Sequence, residues 1–436
     1  MSVEGDQGRE ARRAGRAGER AVKARLDSIV IVGAGQAAQQ AASTLRDEGY
    51  DGAIRMVGDE CCVPYQRPPL SKGFLAGDVV ADELCLESER WFVDARVDRF
   101  AGVRVESIDR AHHRVLLTSG TSLAYDHLIL ATGSRNRSLP CLREPLDGVV
   151  SLRSIADAAR LKAELDAARR VVIVGAGFLG LEVASVAAAR GCDVQVVESL
   201  DRAMKRAMSA AMSAACVAHH EAMGVRFSFN ARVERLHAEE KRVRAVELAD
   251  GTVLEADLVL SAVGVVPNIE LGAACGLPVF NGFVVDAQLR TADPAISAIG
   301  DCAAFPYAFD RGDLVRLESV QNAVDQARHV ACRLLRNGEP YDQTPVFWSD
   351  QGGARVQIAG IARPLDGSVL RGDPASGSFS VFRFRHDRLT GVESFNRPAD
   401  HMLARRLLQR RVSPTRTQIA DLSFDPKSLL VSVEAH

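Results

Sequence analysis

Two matching stretches of sequence decide the fold of this chain: Ser28-Ile-Val-Ile-Val-Gly33-Ala-Gly35-Gln-Ala-Ala38 and Arg170-Val-Val-Ile-Val-Gly175-Ala-Gly177-Phe-Leu-Gly180-Leu-Glu182. Each begins with an apolar, β-branched run, which is typical of a buried parallel strand. Each continues with Gly-x-Gly-x-x-Gly or Ala and then with an alanine-rich helical pattern. The repeat predicts two strand–turn–helix units in one chain.

The glycine positions in these turns have separate tasks. The first glycine permits the tight turn, and the second lets the backbone approach a pyrophosphate. The third position, Ala38 or Gly180, keeps the helix close to the strand. Phosphates would then lie at the helix N-terminus, where unpaired N–H groups and the helix dipole favour anions. The two loops therefore predict two dinucleotide sites.

An acidic residue follows the second strand of each unit. Asp59 and Glu60 end the run that starts at Ala53, and Glu198 ends the run that starts at Asp193. The spacing from the first glycine is near that of a ribose-diol acceptor. A carboxylate accepts from a free 2′-hydroxyl and repels a 2′-phosphate, so Glu198 favours NADH over NADPH. Arg202 lies close in sequence and would weaken that preference.

Composition sets broad limits on the function. The 436 residues carry a net charge of −2, with 47% apolar and 25% charged residues, which is ordinary for a soluble globular protein. This predicts two to three domains, no nucleic-acid partner and no membrane partner. The nine cysteines are scattered without zinc-ligand spacing, so we expect buried thiols in a reducing cytoplasm and no metal site. Residues 1–26 are expected to be a disordered leader.

The rest of the chain alternates apolar strands with small-residue turns. Such turns follow strands at Ala131-Thr-Gly133, Gly264 and Gly300-Asp301, and residues 318–336 have helical periodicity. Beyond about Pro340 the pattern predicts a small α+β domain. Its expected elements are strands 345–349, 354–361, 379–384 and 389–395, and a helix at 399–410.

The order of the motifs resembles that of the FAD-dependent ferredoxin reductases of bacterial oxygenase systems, a family that includes the putidaredoxin and rhodocoxin reductases. The motifs that carry the resemblance begin with the two Gly-rich loops. The others are Arg67-Pro-Pro-Leu-Ser-Lys72, Ala-Thr-Gly133, Val-Gly264-x-x-Pro-Asn268, Gly-Asp301-Cys-Ala, Glu318-Ser-Val320 and Phe347-Trp348-Ser-Asp-Gln351. The resemblance runs from about residue 27 into the C-terminal domain.

This resemblance implies an α/β protein of glutathione-reductase-like architecture, with two Rossmann-like nucleotide-binding domains, for FAD and NAD, and a C-terminal α+β interface domain. The implied boundaries are 27–145 and 268–337 for the FAD-binding domain, 146–267 for the NAD-binding domain and 338–436 for the interface domain. The residues implied to bind FAD are Gly33, Gly35, Ala37, Ala38, Asp59, Glu60, Arg67, Lys72, Val105, Ala131, Thr132, Gly133, Arg137, Gly300, Asp301, Glu318 and Val320. Those implied to bind NADH are Gly175, Gly177, Leu179, Gly180, Glu182, Glu198 and Gly264.

Lys72, Glu182 and Trp348 are the predicted catalytic residues. By resemblance, Lys72 pairs with Glu182 near the flavin and buffers charge as hydride arrives; alternatively, it is a solvated loop lysine. Trp348 either lies between the flavin and the ferredoxin surface or anchors the core of its domain. Asp301 either holds the ribityl chain or caps a helix. The adjacent Cys61 and Cys62 are expected to be non-catalytic.

The implied function is an NADH:ferredoxin oxidoreductase. It would pass hydride from NADH to FAD and then single electrons to a two-iron two-sulfur ferredoxin, which feeds a haem monooxygenase or a ring-hydroxylating dioxygenase. A monomer or weak homodimer is expected. Basic residues that are candidates for ferredoxin docking, or for an ordinary solvated face, are Arg405, Arg406, Arg410 and Arg411.

Three alternatives have different chemistry. An NADH oxidase or peroxidase of the same superfamily would use a redox cysteine beside the flavin, and the position of Cys61 and Cys62 disfavours this. A rubredoxin or monodehydroascorbate-type reductase differs only in its acceptor. A flavoprotein like apoptosis-inducing factor, which signals instead of catalysing, would be expected to have a long C-terminal insertion and a strongly basic surface, which this sequence lacks.

Overall fold

The computed structural model describes residues 26–307, 312–336 and 338–430. The predicted leader, apart from Leu26, lies outside the described residues, and Leu26 packs against the core of the first unit. Among the described residues, no helix combines the length and apolar character that a membrane span requires.

The first Gly-rich motif forms the centre of a parallel sheet, which we call the first unit. Strand β1 pairs with β2 on one side and with β7 on the other, and residues 29–32 are buried. Helix α1 packs closely on this sheet because four of the residues that it buries are small alanines, namely Ala37, Ala38, Ala41 and Ala42. The elements of this region are β1 (Ser28–Val32), α1 (Gln36–Asp47), β2 (Ala53–Gly58), α2 (Gly73–Ala76), α3 (Glu89–Asp94), β3 (Val97–Ala101), β4 (Val105–Asp109), β5 (Arg114–Leu117), β6 (Ser122–Ala124), β7 (His127–Leu130) and β8 (Ser134–Asn136), with 3-10 turns at Pro68–Ser71 and Ala81–Leu84.

The second motif builds a second parallel sheet in the same way, and this is the second unit. Its strand order is β12-β11-β10-β16-β9, and a three-stranded antiparallel sheet, β13-β14-β15, lies beside it. The elements are β9 (Val149–Val150), α4 (Ile155–Ala167), β10 (Arg170–Val174), α5 (Phe178–Ala189), β11 (Asp193–Val197), α6 (Ala210–Ala222), β12 (Arg226–Ser228), β13 (Val233–Glu239), β14 (Arg242–Leu248), β15 (Val253–Glu255), β16 (Leu258–Ser261) and β17 (Val265–Pro267).

The chain then returns to the first unit. Strand β17 pairs with β8 as a two-stranded connection, and β19 pairs with β7, so the first sheet has the order β19-β7-β1-β2-β3. One sheet is therefore assembled from two separate stretches of sequence. The returning elements are α7 (Glu270–Ala274), β18 (Phe283–Val284), β19 (Ile296–Ala298), a 3-10 turn at Gly300–Cys302, β20 (Ala303–Pro306), β21 (Leu314–Val315) and α8 (Val320–Leu335).

The last stretch forms the C-terminal unit, an antiparallel sheet in the order β22-β23-β26-β25-β24 with two helices. The sequence pattern missed β24 because its two glycines and polar residues give a weak strand signal; its pairing with β25 supplies the stability. The short helix α10 was also missed. The elements are β22 (Val346–Gln351), β23 (Ala354–Gly360), β24 (Gly367–Asp373), a 3-10 turn at Pro374–Ser376, β25 (Ser378–Arg385), β26 (Arg388–Phe395), α9 (Pro398–Gln409) and α10 (Arg416–Ala420).

Candidate active site

The first Gly-rich turn has the geometry of a phosphate cradle. Gly33 has a φ of +119°, and a Cβ atom there would lie 2.1 Å from Ala131 O. At Gly35 a Cβ would meet no atom within 4 Å, so the backbone borders open space. The protein's own packing therefore requires the first glycine. The second leaves room for a group that approaches the backbone, which fits a dinucleotide pyrophosphate.

The second turn repeats these features. Gly175 has a φ of +109°, and its Cβ would lie 2.4 Å from Ala262 O. Gly177 again borders open space, and a Cβ on Gly180 would lie 2.2 Å from Gly175 O. The half-buried Leu179 lies between these two glycines on α5. Gly264, with a φ of +92°, also borders open space. The second cradle is thus suited to a second nucleotide.

The carboxylate of Glu198 is bonded to the second turn. Its Oε2 accepts from Ala176 N at 2.9 Å, and its Oε1 accepts from Leu200 N at 2.9 Å. The guanidinium of Arg202 donates to the backbone oxygens of Met208 and Lys205. Arg202 is therefore bonded to the backbone of its own loop, and its effect on the preference for NADH stays a prediction.

The two acids after β2 have different surroundings. Asp59 is exposed and pairs with Arg104 at 3.1 Å. Glu60 is half-buried and accepts from Tyr65 Oη at 2.5 Å and from Arg67 Nη2 at 2.6 Å. Burial raises the pKa of Tyr65, so its hydroxyl keeps its proton and donates. Glu60 and Arg67 therefore form one cluster, while Asp59 faces solvent.

Lys72 and Glu182 form the predicted ion pair. The Lys72 Nζ and Glu182 Oε2 atoms are 2.8 Å apart, and the two side chains are 20% and 7% exposed. Lys72 follows the 3-10 turn Pro68–Ser71 and also donates to Pro68 O at 3.2 Å. Glu182 is on α5, so the pair joins the two units. The alternative of a solvated loop lysine is wrong.

A cavity of about 370 Å³ lies beside this pair. Trp348 is half-buried and lines the cavity instead of joining the core of the C-terminal unit. The cavity wall includes residues from the first turn, the loop after β2, the start of α8 and β22, namely Gln36, Pro69, Lys72, Val320, Trp348 and Asp350. Helix α8 thus directs its N-terminus, capped by the Ser319 side chain, towards this space.

Asp301 does not cap a helix. The 3-10 turn at Gly300–Cys302 has Ile299 as its N-cap residue, and α8 has Ser319. The Asp301 carboxylate instead accepts from Ser134 Oγ and from Arg153 Nη2, both at 2.9 Å and both on Oδ2. The neighbouring Gly300, with a φ of +75°, would bring a Cβ within 3.3 Å of the Ala37 side chain.

The remaining predicted residues have different surroundings. Thr132 and Asn268 exchange hydrogen bonds of 2.6 and 2.9 Å, which tie the Ala131-Thr132-Gly133 turn to the returning chain. Val105 is buried in β4, Ala38 is buried in α1, and Arg137 is exposed. Glu318 pairs with Arg316 at 2.7 Å. The structure thus brings the turn residues together but leaves Arg137 on the surface.

The adjacent cysteines lie outside the cavity wall. The expectation of buried thiols is wrong for Cys61 and Cys62, which are exposed because they occupy the loop after β2. Partial burial, followed by the charge of Glu60, raises the pKa of Cys62, which disfavours a reactive thiolate. This placement gives no support to a thiol-based peroxidase.

Sequence reasoning missed several residues that complete the site. Ser71 and Ser349 bond the Glu182 carboxylate, and Arg153 bridges Asp301 and Ser134. Ser71 could have been found, because it stands next to Lys72 in the same motif. Ser349 could have been found in the same way, because it stands next to Trp348 in its motif. Arg153 belongs to no motif, and its partner Asp301 is far away in sequence.

The residues present fit FAD in the first cradle and a nicotinamide nucleotide in the second. The fit rests on open space beside Gly35 and Gly177, on the carboxylates that follow β2 and β11, and on the α8 N-terminus at the cavity. Within the described residues, no cluster of side chains is suited to bind a metal ion.

Comparison with known proteins agrees with this geometry. Residues 27–327 match the family model described as pyridine nucleotide-disulphide oxidoreductase, and residues 346–430 match the reductase C-terminal model. The chain is 48% identical to rhodocoxin reductase from Rhodococcus erythropolis over 400 residues, which cover 92% of this chain and 93% of that protein.

Two solved structures have the same fold over almost their whole length. The ferredoxin reductase for the CYP199A2 system from Rhodopseudomonas palustris has a TM-score of 0.89 and 44% identity, covering 92% of this chain and 99% of that one. The putidaredoxin reductase in a covalent complex with putidaredoxin has a TM-score of 0.90 and 35% identity, covering 94% and 99%. The chain belongs to the pyridine nucleotide-disulphide oxidoreductase family and is an FAD-dependent oxidoreductase that uses NAD(H).

Proposed function

We propose that this protein is an NADH:ferredoxin reductase that supplies single electrons to a two-iron two-sulfur ferredoxin of an oxygenase system. The observation that carries the proposal is the single cavity that contains both Lys72, from the buried ion pair, and Trp348, from the C-terminal unit. Cys61 and Cys62 lie outside that cavity wall, so an external acceptor suits the site better than an internal disulfide. The names of the similar reductases support the same acceptor class.

The proposed domains follow from this function. Residues 27–145 and 268–337 would hold FAD, residues 146–267 would hold NADH, and residues 338–436 would form the interface domain. A cytoplasmic monomer or weak homodimer stays a prediction. When bound, FAD would supply hydride acceptance and one-electron release.

The side chains would perform binding and charge control. Gly33, Gly35 and the N-terminus of α1 would hold the FAD phosphates, and Asp301 would orient the chain between flavin and phosphates. Glu198 would hold the adenosine ribose of NADH. Lys72 would place positive charge at the cavity as negative charge arrives with the hydride, and Glu182 would keep the ammonium in position.

Replacing Glu198 with serine is expected to reduce the selectivity for NADH over NADPH roughly tenfold or more, because the carboxylate that repels a 2′-phosphate is removed. The measurement is the ratio of kcat/KM values for the two nucleotides. The matched control is Glu255→Ser, because Glu255 is an exposed acid in the same unit that pairs with Arg170. An unchanged ratio in Glu198→Ser would contradict the role of this carboxylate.

One of the four candidate docking arginines, Arg405, lies near α8. Burial raises the pKa of Asp325 on α8, and Gln321 and Arg328 of the same helix and Arg405 of α9 oppose that shift, so Arg405 lies near this carboxylate. Arg406 and Arg410 instead line a separate cavity with Lys427, and Arg411 pairs with Asp342. We therefore select Arg405 and Arg328 for the docking surface.

The double variant Arg405→Ala and Arg328→Ala is expected to lower kcat/KM for an acidic ferredoxin several-fold at low salt, and the difference should shrink as salt rises. Reduction of the bound flavin by NADH should not change. The control is Arg406→Ala, because consecutive helical residues point in different directions. Equal losses in the control and in the double variant would contradict this choice of surface.

The experiment that tests the function is reduction of cytochrome c by the purified holoprotein and NADH, with and without a two-iron two-sulfur ferredoxin. Strong dependence on ferredoxin, with little peroxide formed in its absence, is the expected result. Rapid NADH consumption that ignores ferredoxin and yields water or peroxide would overturn the proposal in favour of an oxidase. If the protein reduces rubredoxin in preference to ferredoxin, the proposed acceptor is wrong and the protein is a rubredoxin reductase.

A further inference from the structure

Glu182 of the second unit is bonded through its carboxylate to both of the other units. Ser71 Oγ donates to Oε2 at 2.5 Å, on the same oxygen that Lys72 contacts, and both residues belong to the first unit. Ser349 Oγ, on β22 of the C-terminal unit, donates to Oε1 at 2.5 Å. Glu182 itself belongs to the second unit and is only 6% exposed. Its two oxygens are therefore held by different units.

The direction of the Ser349 hydroxyl proton follows from its neighbours. Gln351 Nε2 lies 3.1 Å from Ser349 Oγ, and an amide nitrogen is a donor only, so Ser349 accepts this bond. A hydroxyl has one proton, which is then available to Glu182. Ser349 is completely buried, so water does not compete for that proton.

Strand alternation explains why Ser349 faces Glu182. Alternate residues of a strand point to opposite faces, and Phe347, Ser349 and Gln351 all face the second unit. The centre of the Phe347 ring lies 4.5 Å from the centre of the Phe178 ring at the start of α5. On the opposite face of β22, Trp348 and Asp350 line the cavity. One strand thus contributes to both the cavity wall and the Glu182 site.

Further contacts hold β22 and its sheet against the second unit. His219 Nε2 lies 3.0 Å from Gln351 O, and a Cβ on Gly352 would lie 2.4 Å from Met223 Sδ, so the turn after β22 is packed tightly on α6. Buried Glu393 accepts from Ser209 Oγ at 2.5 Å and from Ser209 N at 2.9 Å. These contacts fix the distance between Ser349 and Glu182.

We propose that Ser349 is a positioning residue for the Lys72–Glu182 pair, an inference that rests on the proposed role of that pair in accepting hydride charge. The terminal carboxylate torsion of glutamate has a broad energy profile. Donors on both oxygens restrict its rotation, and charge-assisted hydrogen bonds stabilise a buried carboxylate. Docking of the C-terminal unit through Ser349 therefore completes the site at which NADH is oxidised.

The test compares Ser349→Ala and Ser349→Thr in the holoprotein. Ser349→Ala is expected to lower the limiting rate of flavin reduction by NADH roughly tenfold, the effect of one charge-assisted hydrogen bond, and to shift the midpoint potential of the bound flavin. Ser349→Thr keeps the hydroxyl, so its limiting rate of flavin reduction should stay within about threefold of the wild-type rate. Both variants should bind NAD+ as the wild type does.

The matched control is Ser185→Ala. Ser185 is buried on the same helix and donates to the backbone oxygen of Glu182 at 2.8 Å, not to its carboxylate. Ser185→Ala should change the thermal stability about as much as Ser349→Ala does. It should keep the wild-type rate of flavin reduction and the wild-type flavin potential. If the alanine variant does not fold, Ser349→Cys replaces it, because a thiol is close in volume to the hydroxyl but only a weak donor. It is expected to slow flavin reduction and to shift the flavin potential as Ser349→Ala would.

Three results would overturn the inference in different ways. In the first, Ser349→Ala keeps the wild-type rate of flavin reduction and the wild-type flavin potential, while Lys72→Met is slow. That result would reject the positioning role of Ser349 and leave the proposed role of the ion pair intact. A wild-type rate in Lys72→Met would reject the role of the pair and, with it, the inference. If Ser349→Ala reduces its flavin normally but no longer reduces ferredoxin, the inference is also rejected, because Ser349 would then act in a later step.

Discussion

Replacing Gly33 with alanine is expected to yield a protein without bound flavin and with a clearly lowered melting temperature. Gly33 has a φ of +119°, and an added Cβ would lie 2.1 Å from Ala131 O, a backbone atom that has no alternative rotamer. Backbone strain and overpacking each cost about 1–3 kcal/mol. The turn must then open, and the N–H groups that would face the pyrophosphate move with it.

Gly35→Ala separates folding from cofactor binding. Gly35 has extended backbone angles, and its Cβ would meet no atom within 4 Å. The apoprotein of this variant should unfold at the wild-type temperature but bind FAD weakly. The measurements are the flavin-to-protein absorbance ratio and the thermal unfolding of the apoproteins. A Gly33→Ala protein with full flavin content and wild-type stability would contradict the assignment of this turn.

Replacing Lys72 with methionine is expected to slow flavin reduction by NADH roughly 100-fold or more, which is the usual effect of losing one preorganised electrostatic contact at a site of charge development. The change keeps an unbranched side chain that is one atom shorter but leaves the buried Glu182 without its cation. NADH affinity and flavin content should remain close to wild type. Stopped-flow reduction without an acceptor isolates this step.

Lys162→Met is the matched control for the lysine variant. Lys162 belongs to α4, and its Nζ lies 5.7 Å from the centre of the Phe74 ring in α2, the short helix that follows Lys72. Its loss removes a nearby cation without touching Glu182. If both methionine variants reduce flavin at the wild-type rate, Lys72 acts as a structural contact and not in charge control.

The sequence repeat was sufficient to predict the two nucleotide-binding units. A tight turn between a strand and a helix imposes local requirements, and these requirements produce the same glycine spacing at Gly33 and Gly175. The acidic ends of β2 and β11 are local features too. For that reason the cradle residues and Glu198 could be assigned before any distance was known.

Contacts between distant parts of the chain had no such local pattern. Ser71 and Glu182 are 111 residues apart, and Ser349 and Glu182 are 167 apart. The bridge from Arg153 to Asp301 spans 148 residues. Whether a serine donates to a carboxylate depends on which faces the units bury against each other, and spacing along the chain does not encode this.

The candidate docking arginines also show the difference between what the sequence predicts and what only the tertiary structure decides. Arg405 and Arg406 are neighbours in sequence with the same chemistry, yet Arg405 lies beside Asp325 of α8 and Arg406 lines a separate cavity. The sequence alone predicted two phosphate cradles and an acidic ribose acceptor, and it determined that a lysine follows a proline-rich turn, because each of these depends on neighbouring residues. Only the tertiary structure decided which side chains meet at Glu182, because burial and hydrogen-bond geometry there arise from the packing of the three units against one another.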